Sequence, residues 1–382
     1  MLLILLTAFL DLLGFSILMP VLPDITEHFH QAESWTMWTQ SVYAVGMFFA
    51  GFIIGNLSDK YGRKNMLIFT TSINLLGYIV TLIALQFGNT VGIVGFVGYL
   101  FARLIAGVGG AGFGVVQAYI SDISSPEEKT KNMGLMGAAF GTAFLVGPAI
   151  GGLLASFSGI EGILIVSSII ITINLIWIIF GLPEPKHHIE EMPTVDITQW
   201  QMSREVYILL FLSMCITIGF SVMQSGSGQY YTDRFGFDAD MRGYTMAVVG
   251  AISIIFQGFL VKYVRKVFDE YRMFDIGLFL VALGMILLAL NPFAFLVFFV
   301  VILFPLGMGS LGPSLASLLA RDAGKHAGRV MGINTSMTGV GGIIGPILTG
   351  GLYAIDITLP FYAAGGLFLV LLVISFLSLK QR

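Results

Sequence analysis

The sequence predicts an all-α integral membrane protein whose twelve transmembrane helices form two pseudo-symmetric six-helix bundles. Three observations lead there. Of 382 residues, 56% are hydrophobic and only 11% charged, against a charged share of roughly 25% in a soluble domain. Crossing a hydrocarbon core of about 30 Å takes about 20 mostly apolar residues. Twelve segments qualify: 2–22, 35–57, 66–86, 91–120, 133–156, 160–181, 206–230, 241–261, 273–291, 293–319, 329–354 and 358–379. The third observation is an internal repeat.

The first span starts at Leu2, with no basic leader and with Asp11 inside it. This reads as a retained helix rather than a cleaved signal peptide. The cations orient the remaining spans, because loops kept in the cytoplasm accumulate Lys and Arg. Lys60, Arg63, Lys64, Lys129, Lys131, Lys186, Arg204, Lys262, Arg265, Lys266, Arg272, Arg321, Lys325, Arg329, Lys380 and Arg382 fall on one side. Arg234 and Arg242 fall on the other, and Arg103 lies within span four. Both termini are therefore expected in the cytoplasm, with the chain in the plasma membrane. A net charge of −3 without basic runs gives no footing for nucleic acid. The single Cys215 excludes an intramolecular disulfide and reads as a packing residue.

The polar stretch 182–205, rich in proline, divides a first bundle (1–181) from a second (206–382) as a cytoplasmic linker. Its His187–His188 pair, like His28 and His30 in the first outer loop, has no acidic or cysteine partner at a metal-binding spacing, so no metal site is expected.

Sliding the chain by 198 positions sets Gly109 on Gly307, Gly114 on Gly312, Lys131 on Arg329, Met133–Gly134 on Met331–Gly332, Gly141 on Gly339, and Gly147–Pro148 on Gly345–Pro346. A shift of 202 sets Lys60–Lys64 on Lys262–Lys266. Two units of six spans share one topology and are related by an axis along the membrane normal, an arrangement of transporters that bind between halves.

Between spans two and three, Gly55-Asn-Leu-Ser-Asp59-Lys-Tyr-Gly62-Arg63-Lys64 resembles the signature G-x-L-x-D-r-x-G-r-k of the major facilitator superfamily. Leu13–Pro23 in span one, Arg103–Gly107 in span four, Gly147–Gly152 in span five and Thr232–Phe237 after span seven make the chain similar to the twelve-span drug/proton antiporters, the tetracycline antiporters among them. The resemblance covers essentially the whole chain and is stronger in the first half. It implies the major facilitator fold, no enzyme chemistry, a latch between halves in the Gly55–Lys64 loop, and an antiport element at Gly147, Pro148 and Gly151. It also implies membrane acids in spans three and nine, yet the first of these falls on Gly77 and the second near Ala282.

Physical chemistry supplies a reading of each motif. Gly62 permits a tight turn, Arg63 and Lys64 anchor it at an anionic inner face, and Asp59 accepts hydrogen bonds. The second-half copy keeps the cations but carries Val261 and Val264 in place of acid and glycine, so latching is expected to be asymmetric. Gly147 and Gly151 form a small-xxx-small pair, and Pro148 removes a backbone donor.

Asp11 lies nine residues beyond Leu2, roughly 14 Å along the helix and so near the midplane. An acid at that depth is a candidate proton carrier. Arg103 reaches a similar depth and is expected either to pair with Asp11 or to bind an anionic substrate. Gln40, Tyr43 and Gln117 in the first half, and Ser221, Gln224, Tyr231, Gln257, Asn334 and Thr338 in polar stripes of the second, are candidates for lining a substrate cavity. Asp122 and Asp275, near helix ends, read as solvated or capping groups.

Together these features predict a secondary active exporter that exchanges protons for a small amphipathic molecule, with no cofactor beyond the coupling proton. Its expected partners are the lipid bilayer and the small-molecule substrate, and it is expected to be monomeric. Rival readings are a metabolite importer or facilitator with a fixed Asp11–Arg103 pair, a lipid translocase, and a non-transporting receptor on the same scaffold. Primary pumping is excluded for want of a G-x-x-x-x-G-K-[ST] loop.

Overall fold

The structure is a computed structural model that describes residues 1–88, 92–125, 128–185, 202–323 and 327–379. These residues hold helices and turns and no strand. Span one comprises α1 (Leu2–Ile17), a 3-10 turn at Met19–Val21 and α2 (Leu22–His28). Pro20 and Pro23 each sit at the start of a new helical segment, where a missing N–H costs nothing. Span two is α3 (Ser34–Tyr61) and span three is α4 (Arg63–Gly88), joined by Gly62 alone at φ 95°. Span four breaks at Ala111 into α5 (Gly92–Gly110) and α6 (Gly112–Ile123).

The next helix, α7 (Lys129–Gly181), carries spans five and six as one run interrupted at Gly159, where φ is 61° and ψ −166°. Ten stretches among the described residues are long and apolar enough to cross a membrane. One of them, Leu135–Gly181, has 47 residues, about 70 Å of helix and so room for two crossings.

The second half repeats the plan: α8 (Arg204–Ser221) and α9 (Ser227–Phe235), then α10 (Ala239–Ile255) and α11 (Val261–Val267), then α12 (Glu270–Leu290). It closes with α13 (Val297–Val300), α14 (Leu303–Ala323), α15 (Ala327–Tyr353) and α16 (Leu359–Ser378). With α7 crossing twice and the 27-residue α15 crossing once, the twelve expected spans are accommodated. Two π turns, at Val222–Gly226 and Phe256–Leu260, interrupt spans seven and eight.

Local chemistry sets the ends. Ser203, Asp238 and Asp269 cap α8, α10 and α12 by accepting backbone N–H bonds of 3.3, 3.0 and 2.8 Å. Gly236 ends α9 in the left-handed region at φ 68°. Asp356 receives the Thr358 N–H at 2.7 Å, and the Thr358 hydroxyl and N–H hold its carboxyl below the usual range.

Each half has its own apolar core. One runs through Leu209, Phe274, Leu278, Val281, Phe361 and Phe368, and takes in Cys215. The first half is packed around Ile17, Tyr78, Ile163 and Ile171, with a second cluster around Ile4, Leu67 and Ile120. Large apolar side chains such as Phe157, Phe180 and Leu377 point outward, as a lipid-facing belt requires. Lipid tails give helices little hydrophobic reason to associate, so close packing of small residues does that work. A Cβ at Gly107 would stand 3.1 Å from the Met47 nitrogen, and one at Gly46 would stand 3.2 Å from the Val108 nitrogen. Thus α3 and α5 touch backbone to backbone.

Candidate functional site: a cavity between the halves and a carboxylate behind it

Packing of α3 on α15 and of α7 on α10 brings the halves together along one part of their length. Trp38 Nε1 donates to the Ile347 carbonyl at 3.2 Å, and Ser41 Oγ to the Ile343 carbonyl at 3.0 Å. Thr36 Oγ1 donates to Gln229 Oε1 at 3.3 Å. Arg242, 1% exposed, pairs with Asp24 and donates to Thr232 Oγ1 at 2.7 Å. Tyr353 donates to Asp233, which also takes the Gln229 amide at 2.9 Å. Burial and the facing Asp233 push the Glu33 carboxyl above its usual range. All these groups lie toward the face opposite the basic loops.

Beyond these bonds a cavity of about 630 Å³ lies between α3 and α15, with Phe48, which rests on Gly339, partway along its wall. Gln40, Tyr43 and Gln117 line it from the first half, and Gln224 and Thr338 from the second. Gly55 stands at its mouth on the cation-rich side. Phe15, Phe48, Phe52 and Phe113 add an aromatic part to the wall, and no charged side chain is among the described lining residues. Bonds between the halves therefore close one end of the cavity, and its lining runs toward the basic face as far as Gly55.

Four candidates lie elsewhere. Ser221 donates to the Thr217 carbonyl at 2.9 Å and backs on Gly345. Tyr231 is buried in the second-half core. Gln257 belongs to the second π turn, beside Gly309, and Asn334 has a buried Oδ1 without a partner. The π turns bear on two of these, Tyr231 beyond the first and Gln257 within the second. Each inserts a residue, and one extra residue rotates everything beyond it by about 100° relative to a stripe drawn at 3.6 residues per turn.

Behind the Gln40–Tyr43 wall, Arg103 donates from Nη2 to Gln40 Oε1 at 2.6 Å and lies 4.9 Å from the centre of the Tyr43 ring. Asp11, on α1, accepts from Asn174 Nδ2 at 3.0 Å. Among the described residues no ion pair joins Arg103 to Asp11. Tyr43 and Tyr78 lie within electrostatic reach of both. Asn174 was absent from the sequence reading, although it is an amide in the apolar run 163–181.

The loop motif is a compact charge cluster. Arg63 bonds Asp59 at 2.6 Å, Asp122 at 2.8 Å and Ser58 Oγ at 2.5 Å. Glu184 accepts the backbone N–H groups of Arg63 at 2.6 Å and Lys64 at 3.0 Å, so a carboxylate caps the start of α4. Every bond described for Asp59 and Arg63 stays within the first half or the first residues of the linker, and none reaches the second half. Asp122 is thus an ion-pair partner rather than a cap, and Asp275 accepts the Ser375 hydroxyl at 2.6 Å.

In the glycine motif, Gly147 and Gly151 pack on Ser16 and Ile17 of span one. Pro148 reaches the second half, since a Cβ at Gly243 would meet its carbonyl oxygen at 2.6 Å. Gly77 sits where the resemblance implied one acid, and Ala282 near the other. A Cβ at Gly77 would lie 3.0 Å from that of Ala106, and Ala282 is fully buried. Neither position has room for a carboxylate.

Of the histidines, His28 Nε2 bonds the Leu85 carbonyl at 3.1 Å. No group of three metal-ligating side chains occurs among the described residues. His187 and His188, with most of the linker, lie outside them.

The sequence and the fold have counterparts in known proteins. A sequence model of the Major Facilitator Superfamily matches residues 4–335, and again 209–382. The chain is 29% identical to a class C tetracycline resistance protein of Escherichia coli, over 91% of this chain and 88% of that one. It is 26% identical to multidrug resistance protein 2 of Bacillus subtilis, over 95% and 90%. Its fold matches the crystal structure of the human organic anion transporter MFSD10 with a TM-score of 0.74 at 19% identity, covering 98% of each chain. With the family model spanning most of its length, this chain belongs to the Major Facilitator Superfamily.

Proposed function

We propose that the protein is a secondary active exporter that moves small amphipathic molecules out of the cytoplasm in exchange for protons, by alternating access. One observation carries this reading: a cavity closed at one end, walled by aromatic and amide side chains, with the membrane carboxylate of Asp11 beside that wall. The wall chemistry fits a solute with an apolar body and a few hydrogen-bonding groups, because nothing in it compensates a phosphate ester. Likeness to tetracycline and multidrug resistance proteins supports the export direction.

In this mechanism the cavity loads from the basic, cytoplasmic face while Asp11 is ionised. The halves rock, the seam held by Asp24–Arg242 and Thr36–Gln229 opens, and solute leaves. A proton entering from outside neutralises Asp11 and favours return. Arg103, held by Gln40 and Tyr43, transmits the charge state of the site to the wall. The protein works as a monomer in the plasma membrane, with both termini in the cytoplasm.

The test uses purified protein in liposomes under an imposed pH gradient, with tetracycline, a quinolone and a panel of amphipathic dyes. Gradient-driven accumulation that disappears in Asp11→Asn supports the reading. Full accumulation in that variant removes Asp11 as the coupling site, and transport indifferent to the gradient points to a facilitator.

A further inference from the structure

Asp11 has an unusual neighbour. Asn174 is fully buried, and its Nδ2 donates both to Asp11 Oδ1 at 3.0 Å and to the Thr7 carbonyl at 3.3 Å. The Thr7 oxygen can only accept, which fixes the amide orientation and identifies the free atom as Oδ1. That Oδ1 is buried and has no partner. Buried acceptors without partners are rare because they lose their bond to water and gain none, so each asks for an explanation.

Protonation of the carboxyl provides one. An ionised carboxylate only accepts, whereas a carboxylic acid carries an O–H that must donate. In a dry site that donor needs an acceptor within reach. Asn174 on α7 bonds the carboxyl, and Tyr43 on α3 and Tyr78 on α4 lie within electrostatic reach of both Asp11 and Arg103 on α5. The ionisable groups of α6 nearest this end, Tyr119 and Asp122, are engaged with Pro183 and Arg63. Arg103 offers only donors. Asn174 is the group already bonded to the carboxyl and also holding a spare acceptor.

We infer that Asn174 is a two-state partner of Asp11, donating to the ionised carboxylate and accepting from the protonated acid. When a proton from water binds a carboxylate oxygen, the N–H···O contact gives way to an O–H···O contact as the carboxyl turns about its Cβ–Cγ bond. No covalent bond of Asn174 changes, and the Thr7 carbonyl keeps its nitrogen in place. Both protonation states are then satisfied by the same side chain within one half, and the half need not repack to load or release a proton. Asn174 is a positioning residue, and its role rests on the proposed function of Asp11 as proton carrier.

Infrared difference spectroscopy of the full-length protein in liposomes tests the pair without any substrate. The carbonyl band of protonated Asp11, identified by its loss in Asp11→Asn, is followed against pH in the native protein, Asn174→Leu and Asn174→Thr. Hydrogen bonds to charged groups outweigh those to neutral ones, so Asn174→Leu should move the titration midpoint alkaline by about one pH unit, a tenfold change. Its band should also rise in frequency as the acceptor is lost. Asn174→Thr, which keeps a donor and an acceptor, should restore both values and shows that the site still folds. An unchanged band in Asn174→Leu, with or without a moved midpoint, overturns the two-state role. Failure of the proposed function looks different: there the band titrates normally while Asp11→Asn still accumulates solute.

Discussion

Replacing Arg242 with methionine should open the closed end of the cavity. The guanidinium is 1% exposed, and it ties Asp24 of span one to Thr232 of span seven across the two halves. Methionine keeps most of the aliphatic volume and removes the charge-assisted bond to Asp24 that crosses the halves, the bond to Thr232 being internal to the second half. Such a bond contributes about 1.5–3 kcal/mol when buried. Asp24 is a third exposed, at 33% of its side chain, so water recovers part of the loss and the net cost to the closed state is about 2 kcal/mol. That corresponds to a shift of roughly thirty-fold toward the state with the seam open. The assay is the alkylation rate of Ser34→Cys, buried in the seam, in a Cys215→Ser background. Asp24→Asn should give a smaller rise, and the double variant should add little beyond Arg242→Met, because both changes remove one interaction. A labelling rate unchanged within twofold would refute the seam's energetic role.

Three further outcomes follow from the same geometry. Glu33 is pushed up by burial and by Asp233, so its protonated form favours the closed seam; this stabilisation is fully present below the ordinary glutamate value of about 4.3 and lost as pH rises through the raised one. Acidifying the outer face should therefore slow Ser34→Cys labelling two- to threefold, a modest figure for a largely exposed group, and Glu33→Gln should abolish the response; equal pH dependence in both proteins excludes it. Glu184→Gln loses the charged cap on α4 and should lower stability by about 1 kcal/mol in denaturant titration of detergent-solubilised protein, with substrate affinity unaltered; a loss of affinity at full stability would contradict a capping role. Gly243→Val drives a side chain into the Pro148 carbonyl and should cost the closed seam about 1–3 kcal/mol, read as faster labelling; slower labelling would count against close packing there.

Much of the fold was legible because membrane crossing imposes a length and a polarity that any sequence must display. Gly62 was legible as a turn for a similar reason, since the φ of 95° that joins α3 to α4 without a loop is one that few other residues adopt. Asp11 stood out by its depth alone. Its partner did not, because Asn174 lies 163 residues away, and the depth match with Arg103 was a one-dimensional argument about a three-dimensional site. The Asp24–Arg242 pair, 218 residues apart, was hidden in the same way. The polar stripes placed Gln224 and Thr338 on the cavity, while π turns rotated or absorbed the residues beyond. Glu184 escaped notice inside a proline-rich linker whose composition reads as solvated chain.

The distribution of bonds says which parts move. Asp11, Asn174, Arg103, Gln40 and Tyr43 are all on first-half helices, and each bond that positions the carboxylate is internal to that half. The second half offers the cavity only uncharged groups from α15 and the first π turn. A proton at Asp11 therefore cannot act by breaking a bond between halves. In the proposed mechanism it acts through the charge that the first half presents to the cavity, by way of Arg103 and the Gln40 and Tyr43 side chains that hold it. The seam holds the other side of the balance. Four of its bonds cross the halves, Asp24–Arg242, Thr36–Gln229, Trp38–Ile347 and Ser41–Ile343, and each can be exchanged for water as the halves separate, at little cost beyond the Asp24–Arg242 pair. Proton site and gate are thus separate devices joined by the rigidity of one bundle. Coupling should accordingly survive repacking of the second-half core and fail when α1 is loosened from α7.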